Sequence, residues 1–485
     1  MTVRSTPVVV SDPADGSAEN AAISAPRFID RLYGREARFL ADLPVAARAA
    51  NIDYLALMTV FGRFPDAALT PYEGIVARYQ PQNLDSTISS LPTGRTAEEA
   101  APLLRTAIDR TLDRVLRTVS CAAVLTGGGL DSGGLLAAVH AWAKRTGRTC
   151  FAVAIDFEGP YDDRPYLRAL EQTLPCRVVR IAPEEGAAFF GPAFYEGADH
   201  APLPSPTVGF EMAAYARAAQ EGADCLLTGV GGDQLFDGLP RSVAAMFREQ
   251  GARAAIDAIR RLRGFPRPRR PYLDWLVRPF LVSRLPASAR AFIVRAAPYP
   301  IMEWSGPALR ASRAKEVRRR RREVQDLVRR GPMPVTNNDR VFARHAQQMV
   351  RATGIPRRID PYLDPSLKTF VHRLPPHWLL MRHVRRGLFR EALRDILPEV
   401  LYRRLDKAGF EPAMLRTVQA AGGFEVLRPF ADTRALTRLG IVEPAPFRSE
   451  FERLVAEPMV GRYWPRVWPV LALEAFVRHH FPSHG

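Results

Sequence analysis

The stretch Thr126-Gly127-Gly128-Gly129-Leu130-Asp131-Ser132 separates two apolar segments of different character. Residues 121–125 before it are typical of a buried strand, and residues 133–143 after it are typical of a helix packed on a sheet. Glycines in such a turn let backbone N–H groups approach an anion, and the helix N-terminus adds partial positive charge. The Asp131 carboxylate beside a phosphate would need a bridging cation such as Mg²⁺. The stretch therefore predicts a phosphate site, the alternative being an ordinary glycine-rich turn with an exposed Asp.

A second stretch repeats this order of strand, glycine-rich turn and carboxylate. Residues 223–227 are typical of a buried strand, and Thr228-Gly229-Val230-Gly231-Gly232-Asp233-Gln234 follows them. Two such turns about a hundred residues apart fit a doubly wound α/β fold with a mostly parallel sheet, where ligands lie beyond the carboxyl ends of the strands. We therefore expect Asp131 and Asp233 to hold one Mg²⁺ across the phosphates of a nucleotide.

The rest of the chain divides into three parts. Residues 1–26 are polar and are expected to be a flexible segment, residues 27–95 a lead-in that is helical as far as about residue 60, and residues 96–485 the main domain. In the main domain, predicted strands alternate with predicted helices, and a large helical part follows from about residue 239. The strands are predicted at 121–126, 150–157, 177–181 and 223–228, and the helices at 97–118, 132–146, 162–173 and 207–221.

Composition places the chain with soluble globular proteins. It has no run of eighteen apolar residues and no signal-peptide pattern, so we expect a cytoplasmic protein without a membrane partner. Its four cysteines are scattered, which predicts reduced thiols and no zinc site. The net charge of +17 includes an arginine run at 318–322. We interpret that run as a solvated helix face rather than a nucleic-acid site, because aromatic residues are not interleaved with it.

Five segments resemble the ATP pyrophosphatases, and in particular the synthetase domain of asparagine synthetase. The first stretch resembles the pyrophosphate-binding signature S-G-G-x-D-S, with Gly127 in place of the first Ser. The second resembles G-x-G-G/S-D-E, with Gln234 in place of the Glu. Three later segments are similar to R-x-P-F-L-D, to R-x-L-L-R-x-A followed by L-P, and to R-x-K-x-x-F; they are residues 359–364, 386–398 and 404–410. The resemblance implies an adenine nucleotide alpha hydrolase-like fold.

The resemblance also implies cofactors and site residues. ATP and Mg²⁺ are the expected cofactors, with Asp131 and Asp233 as metal ligands and, together with Lys407, as catalytic residues. Lys407 is one of only four lysines among 68 basic residues, and its compact ammonium suits charge developing on a departing phosphate. The residues expected to contact the nucleotide are Thr126, Gly127, Gly128, Gly129, Ser132, Val153, Thr228, Gly229 and Arg390.

Several positions depart from asparagine synthetase. Residue 2 is Thr where a glutamine-hydrolysing Cys is expected, so we expect no ammonia to be made from glutamine. Val230 replaces the catalytic Glu or Tyr of the relatives, and residues 356–358 lack an expected acid. The pattern resembles lasso-peptide macrolactam synthetases, which adenylate an Asp or Glu side chain and let the N-terminal amine of the same peptide attack. That resemblance implies a leader-peptide-binding protein and a leader peptidase as partners.

Two alternatives remain open at this point. An asparagine synthetase-like ligase would couple ammonia or another amine to a small carboxylate substrate. A protein of a different class, a nucleotide-binding or nucleic-acid-binding protein that has lost catalysis, would explain Gly127, Val230, Gln234 and the arginine run.

Overall fold

In a computed structural model of the protein, a five-stranded parallel sheet lies at the centre of the molecule. The structure describes residues 26–482 except 33, 46–47, 61–64, 160–161, 191–204, 240, 264–269, 278–280, 282–284, 287–300, 331–334 and 407–408. The strands of the sheet are β4 (Cys121–Leu125), β5 (Thr149–Ile155), β6 (Arg177–Ile181), β7 (Cys225–Leu227) and β8 (Arg358–Ile359). Their order in the sheet is β6-β5-β4-β7-β8, and every neighbouring pair is parallel.

The predicted parallel α/β sheet is therefore confirmed, with strand ends that shift by up to two residues. Its central strand β4 is apolar without interruption because both faces of the sheet are covered. Ala123 packs into one hydrophobic core, and its neighbours Ala122 and Val124 pack into the other. All three are completely buried. The short edge strand β8 was not predicted as a strand.

Eighteen helices occur in the described part of the chain, and after β8 every described element is helical, as predicted. They are α1 (Ile52–Met58), α2 (Ser86–Ser89), α3 (Ala97–Val115), α4 (Leu130–Thr146), α5 (Arg164–Thr173), α6 (Val208–Gln220), α7 (Gly232–Phe236), α8 (Arg241–Arg261), α9 (Pro307–Arg330), α10 (Asn337–Thr353), α11 (Pro365–Arg373), α12 (Gly387–Ala392), α13 (Glu399–Arg403), α14 (Glu411–Ala420), α15 (Arg428–Ala431), α16 (Arg434–Arg438), α17 (Pro444–Ala456) and α18 (Trp464–His480). Short 3₁₀ segments lie at Leu40–Asp42, Pro183–Phe189, Pro361–Leu363, Pro376–His383 and Phe424–Val426, and a π turn at Leu273–Val277.

The helical prediction for residues 27–60 is wrong over most of its length. Strands β1 (Arg27–Asp30), β2 (Arg35–Ala37) and β3 (Ile75–Arg78) form an antiparallel sheet in the order β2-β1-β3. The buried side chains of β1 alternate, since Phe28 and Asp30 point inward, and Arg48 pairs with Asp30 at 2.5 Å. Pairing with the distant strand β3 overrides the helical spacing of the apolar residues. Among the described residues of this region, the helical segments are α1 and the short 3₁₀ segment Leu40–Asp42.

The sheet places the two glycine-rich loops side by side. Strands β4 and β7 are neighbours, with Ala122 opposite Cys225 and Val124 opposite Leu227, so their carboxyl ends are level. The chain leaves β4 toward β5 on one side, whereas β7 lies on the other, and such a switch point is where open α/β sheets bind ligands.

Among the described helices, none combines the length and apolarity needed to cross a bilayer.

The arginine run lies on α9, and two of its members are paired with a carboxylate of the same helix. Arg319 and Arg320 contact the same carboxylate, Glu316, at 2.6 and 2.9 Å. Glu316 is itself 4% exposed. These two arginines therefore belong to an ion-pair cluster of the helix surface.

Candidate active site

The first loop joins the end of β4 to the N-terminus of α4. Gly128 has φ +78°, and a Cβ atom there would lie 2.9 Å from the carbonyl oxygen of Asp163, so this position requires glycine. Gly129 precedes the first turn of α4, and no described side chain caps the helix. The first N–H groups of α4 are therefore available, and the helix dipole adds positive charge at the same place. This is the backbone chemistry that an anion needs.

The hydroxyl of Ser132 lies at the centre of this loop. Its Oγ is 3.4 Å from Thr126 Oγ1, 3.5 Å from the N–H of Gly127 and 3.4 Å from the carbonyl oxygen of Gly129. All three distances are long for hydrogen bonds of these types. The hydroxyl is thus held weakly and can turn toward a ligand at small cost.

The second loop packs directly against the first. A Cβ atom on Gly229 would lie 3.0 Å from the backbone nitrogen of Ser132, and one on Gly232 would lie 2.6 Å from Cγ of Asp131. Gly231 has φ +93°, and a Cβ atom there would lie 2.4 Å from the side chain of Leu363. Glycines at these positions let the two loops approach so closely that their carboxylates face one another.

Asp131 and Asp233 meet at a single guanidinium, that of Arg386. Arg386 Nη1 lies 2.9 Å from Oδ1 of Asp131, and Nη2 contacts Oδ1 of Asp233. The adjacent Arg385 lies 3.3 Å from Asp233 and 2.7 Å from Asp237. The structure therefore brings together the two carboxylates that the sequence pairs, with an arginine cation between them.

The arrangement fits a divalent cation by the chemistry of its donors. Mg²⁺ prefers oxygen ligands, and carboxylates are the protein groups that most often hold it beside phosphates. The Cβ that Gly232 lacks would occupy space next to Asp131, so the sequence keeps this carboxylate accessible from the second loop. Asp131 and Asp233 can thus share Mg²⁺ provided that Arg386 moves from its present contact.

Arg386 is 8% exposed, and its environment is unusual for an arginine. Burial lowers its pKa, and the charge of Asp131 opposes that effect. Its backbone φ is +56°, a conformation that residues other than glycine rarely adopt. A buried cation held on a strained turn against two carboxylates is a feature that a functional site explains better than a structural role does.

In the described part of the chain, the hydrogen bonds of Arg390 go to backbone carbonyls outside the two glycine-rich loops. Its guanidinium donates to the carbonyl oxygens of Arg385 at 2.9 Å, Tyr402 at 2.5 Å and Arg404 at 2.6 Å. Burial, followed by the charge of Arg386, lowers the pKa of Arg390 to about 10. Arg390 thus fixes the turn that carries Arg386 to the segment after α13, and direct contact with the nucleotide stays a prediction.

Arg404 connects the first loop to the segment that contains Lys407. Its Nη1 lies 2.6 Å from Oδ1 of Asp163 and 2.9 Å from the carbonyl oxygen of Gly128, and its guanidinium lies 3.8 Å above the ring of Tyr166. Burial raises the pKa of Asp163 to about 6, although Arg404 opposes the rise. Lys407 itself lies outside the described residues, so its catalytic role stays a prediction.

Val153 lies in β5, two residues before its end, and Thr228 directly follows the last residue of β7. Val153 is completely buried, and its carbonyl oxygen accepts a hydrogen bond from the N–H of Thr126 at 2.9 Å. Thr228 donates through Oγ1 to Asp360 and accepts at the same atom from the N–H of Val230 at 3.3 Å. Both residues therefore shape the loops, and their contacts to a nucleotide stay predictions.

Sequence reasoning did not single out three residues that the structure places at this site: Arg386, Arg404 and Asp163. Arg386 and Arg404 belong to the C-terminal segments that resemble the family, whereas Asp163 directly precedes α5 and lies in none of those segments. For the two arginines, only their position within these motifs could have indicated a role in the site, because arginine is too common in this chain for the residue type to stand out.

The fold and the paired loops define a class of α/β proteins that bind nucleotide phosphates at the switch point of a parallel sheet. Within that class, the asparagine synthase family model matches residues 102–478 of the 485. The chain belongs to the asparagine synthase family, which makes it an enzyme of the carbon–nitrogen ligase type that uses ATP. A search of curated proteins found no match.

Proposed function

We propose that this protein activates a carboxylate with ATP and couples it to an amine, forming a macrolactam in a lasso-type peptide. A single observation carries the first half of the proposal. Two glycine-rich loops on neighbouring strands bring Asp131 and Asp233 to one cation, Arg386, in a member of the asparagine synthase family.

In the first step, a carboxylate oxygen attacks the α-phosphorus of ATP. The bond from that phosphorus to the bridging oxygen breaks, and pyrophosphate leaves. The glycine-rich loop and the N-terminus of α4 would bind the phosphates through backbone N–H groups, and Ser132 would add a hydroxyl donor. Asp131 and Asp233 would hold Mg²⁺, which when bound neutralises charge on the phosphates.

Positioning in this step falls to arginines that bind the loops. Arg404 fixes the carbonyl of Gly128 and the carboxylate of Asp163, so the first loop cannot shift without moving the segment that leads to Lys407. Lys407 would then neutralise charge on the acyl-adenylate and on the departing group, as the family resemblance implies.

In the second step, an amine attacks the acyl carbon, a C–N bond forms, the bond to AMP breaks, and the amine loses a proton. Val230 cannot take that proton because its side chain neither ionises nor accepts a hydrogen bond. A peptide N-terminal amine suits this site because its pKa of about 8 leaves a useful fraction neutral. Binding both ends of one peptide would also raise their effective concentration. The partners implied are a leader-peptide-binding protein and a leader peptidase.

Amidation of a small carboxylate such as aspartate by ammonia is the alternative, and family membership favours neither reaction over the other. The departure at Val230 favours the peptide, because ammonium, with a pKa above that of a peptide terminus, depends more on a general base.

Two measurements test the proposal. Carboxylate-dependent exchange of labelled pyrophosphate into ATP reports the first step, and the nucleotide product identifies the bond that is cleaved. The probes are a linear peptide with a free N-terminal amine and one Glu side chain, and aspartate with ammonium chloride. We expect exchange, AMP as product and a peptide lighter by one water. ADP as the product would overturn the adenylation chemistry, and asparagine formation without peptide cyclisation would establish the alternative.

A further inference from the structure

A buried tyrosine contacts the first loop from the 3₁₀ segment Pro361–Leu363, which follows β8. Tyr362 is 1% exposed, and its hydroxyl donates to the backbone carbonyl oxygen of Asp131 at 3.2 Å. Asp131 belongs to the first turn of α4, and a carbonyl oxygen has two lone pairs, so it can accept this bond as well as the one within the helix. The hydroxyl therefore ties a residue that follows β4 to a segment that follows β8, although β7 lies between these strands.

The same 3₁₀ segment also contacts the second loop. A Cβ atom on Gly231 would lie 3.4 Å from the carbonyl carbon of Tyr362 and 2.4 Å from the side chain of Leu363. A Cβ atom on Gly232 would lie 2.6 Å from Cγ of Asp131. The two glycines are thus enclosed between the 3₁₀ segment and the first loop. Tyr362 spans this layer, since its backbone borders one glycine and its hydroxyl reaches Asp131.

The ring of Tyr362 packs edge-on against two phenylalanine rings. Its centroid lies 5.2 Å from that of Phe236, with an interplanar angle of 84°, and 5.7 Å from that of Phe389, with an angle of 90°. Phe236 and Phe389 are completely buried and stack on one another at 4.4 Å. Edge-to-face packing is a preferred arrangement of aromatic rings, so the two phenylalanines fix the ring of Tyr362 and the direction of its hydroxyl.

The two phenylalanines belong to the helices that carry the other ionic groups of the site. Phe236 is the last residue of α7, whose first turn contains Asp233. Phe389 belongs to α12, which begins directly after Arg386. A Cβ atom on Gly134 of α4 would lie 3.0 Å from the ring of Phe389, so this ring packs on α4 as well. One cluster of three rings therefore joins the elements that present the two carboxylates and the guanidinium.

The hydroxyl of Tyr362 is a departure from the family motif. Tyr362 stands at the place of Phe in R-x-P-F-L-D, so the resemblance accounts for the ring and not for the hydroxyl. Burial, followed by the charge of Asp131, raises the pKa of Tyr362 well above its ordinary value, so the hydroxyl keeps its proton and stays a donor near neutral pH. Packing needs only the ring, and the hydroxyl needs another explanation.

We propose that the hydroxyl of Tyr362 positions Asp131 for the metal ion by fixing the backbone from which this carboxylate extends. An Asp side chain has only two rotatable bonds, so the place of its carboxylate follows closely from its backbone. Mg²⁺ demands near-octahedral geometry with oxygen ligands at about 2.0–2.1 Å, so a small displacement of one ligand weakens binding. The inference rests on the metal site of the function proposed above and is independent of which carboxylate and amine are joined.

The contact of Tyr362 differs in kind from that of Arg386. Arg386 lies against the carboxylate of Asp131, with Nη1 at 2.9 Å from Oδ1, and a metal ion at this carboxylate would displace it. The hydroxyl of Tyr362 binds the backbone carbonyl and leaves the carboxylate oxygens to the metal. Of these two contacts, the hydrogen bond of Tyr362 is therefore the one that can persist when the metal is bound.

The test uses Tyr362→Phe, which removes one oxygen atom and keeps the ring. Tyr54→Phe is the matched control, because Tyr54 is also completely buried and its hydroxyl bonds to Arg344 of α10 at the same distance of 3.2 Å. The probe is Mn²⁺, titrated by electron paramagnetic resonance into the protein alone and with α,β-methylene-ATP, which cannot be cleaved between its α and β phosphorus atoms. In Tyr362→Phe we expect the Kd for Mn²⁺ to rise about tenfold, the lower end of the effect of losing a hydrogen bond that orients a metal ligand.

Steady-state kinetics supply a second readout. The hydrogen bond is present before and during the reaction, so its loss should weaken the ground state and the transition state alike, which raises KM and spares kcat. In pyrophosphate exchange with the linear peptide that has a free N-terminal amine and one Glu side chain, we expect KM for Mg·ATP to rise about tenfold and kcat to stay within about threefold of wild type. Excess Mg²⁺ should restore the rate at low ATP. A loss of folded protein would instead lower kcat, leave KM unchanged and not respond to Mg²⁺.

Three outcomes would overturn the inference: unchanged Mn²⁺ affinity in Tyr362→Phe, an equal loss of affinity in Tyr54→Phe, or no Mn²⁺ binding by wild type in either condition. Failure of the proposed function has a different signature. If Mn²⁺ binds as expected but wild type shows no exchange with the peptide or with aspartate and ammonium chloride, the ligase reaction fails while the effect of Tyr362 on the metal site stands.

Discussion

Arg386 Nη1 lies 2.9 Å from Oδ1 of Asp131, so the carboxylate expected to hold a metal ion is held by an arginine of the same chain. The other arm of this guanidinium contacts Asp233. A divalent cation held by these carboxylates would therefore compete with Arg386. Metal binding would require the arginine to leave, and the anionic phosphates that arrive with the metal would be the natural new partner for it.

Removal of this competition should strengthen metal binding by the protein alone. We expect Arg386→Gln to bind Mn²⁺, measured by electron paramagnetic resonance without nucleotide, on the order of tenfold more tightly, a change of about 1.4 kcal/mol. Arg382→Gln is the control, since Arg382 is exposed and pairs only with Glu391 among the described residues. Unchanged or weaker Mn²⁺ binding in Arg386→Gln would show that the guanidinium does not occupy the place of the metal.

The two carboxylates should each be indispensable for turnover. Asp131→Asn and Asp233→Asn remove one anionic metal ligand from a site that must neutralise a triphosphate, so we expect pyrophosphate exchange to fall by at least about two powers of ten. Asp237→Asn is a matched control on the same segment, because Asp237 contacts Arg385 and not Arg386. Near-normal exchange in either of the first two variants would reject a shared metal ion.

The fold was predictable where the local pattern and the tertiary structure agree. The apolar runs before Thr126 and Thr228 are each followed by a glycine-rich turn. The structure has a strand in each run and a loop at each turn, as the sequence pattern predicts. The N-terminal sheet was not predictable, because the apolar residues from Phe28 onward also suit a helix and only pairing with β3 decides between the two.

The site was predictable only in part, for a compositional reason. The pairing of Asp131 with Asp233 was predicted from a carboxylate after each glycine-rich turn, and the structure brings the two side chains to one guanidinium. Arg386 and Arg404 were not predicted, because 64 of the 68 basic residues are arginines once the four lysines are subtracted, and no single arginine is distinctive. Long-range contacts, such as that of Arg404 with Gly128, separated by 276 positions, become visible only in the folded chain.

The neighbouring carboxylates Asp162 and Asp163 should affect stability with opposite dependence on pH. Burial raises the pKa of Asp163 to about 6, so its contribution to folding is present at low pH and is lost as the pH rises toward 6. Asp163→Asn should therefore improve relative to wild type between about pH 4 and pH 6.5, by up to about 3 kcal/mol in the free energy of unfolding.

Asp162 supplies the comparison for that measurement. A hydrogen bond from Arg164 lowers the pKa of Asp162, so its contribution is present above the unfolded pKa and is lost as the pH falls. Asp162→Asn should therefore lose stability relative to wild type as the pH rises. Urea unfolding at several pH values gives both trends, and the same trend in the two variants would contradict the assignment for Asp163.

The catalytic role predicted for Lys407 from the family resemblance can be tested by substitution. If it neutralises charge on the acyl-adenylate, Lys407→Ala should lower turnover by roughly two to three powers of ten, the effect of losing one group that stabilises a developing anion. ATP binding, measured by calorimetry, should change much less, because the loop and Mg²⁺ bind the phosphates in the ground state. Lys407→Arg should recover little activity, since a planar guanidinium cannot take the position of a compact ammonium.

Lys144→Ala is the control, because Lys144 is exposed in the last turn of α4. Equal and mild effects at the two lysines would mean that Lys407 is a surface residue and that the charge is neutralised by the arginines around Asp131 and Asp233 alone.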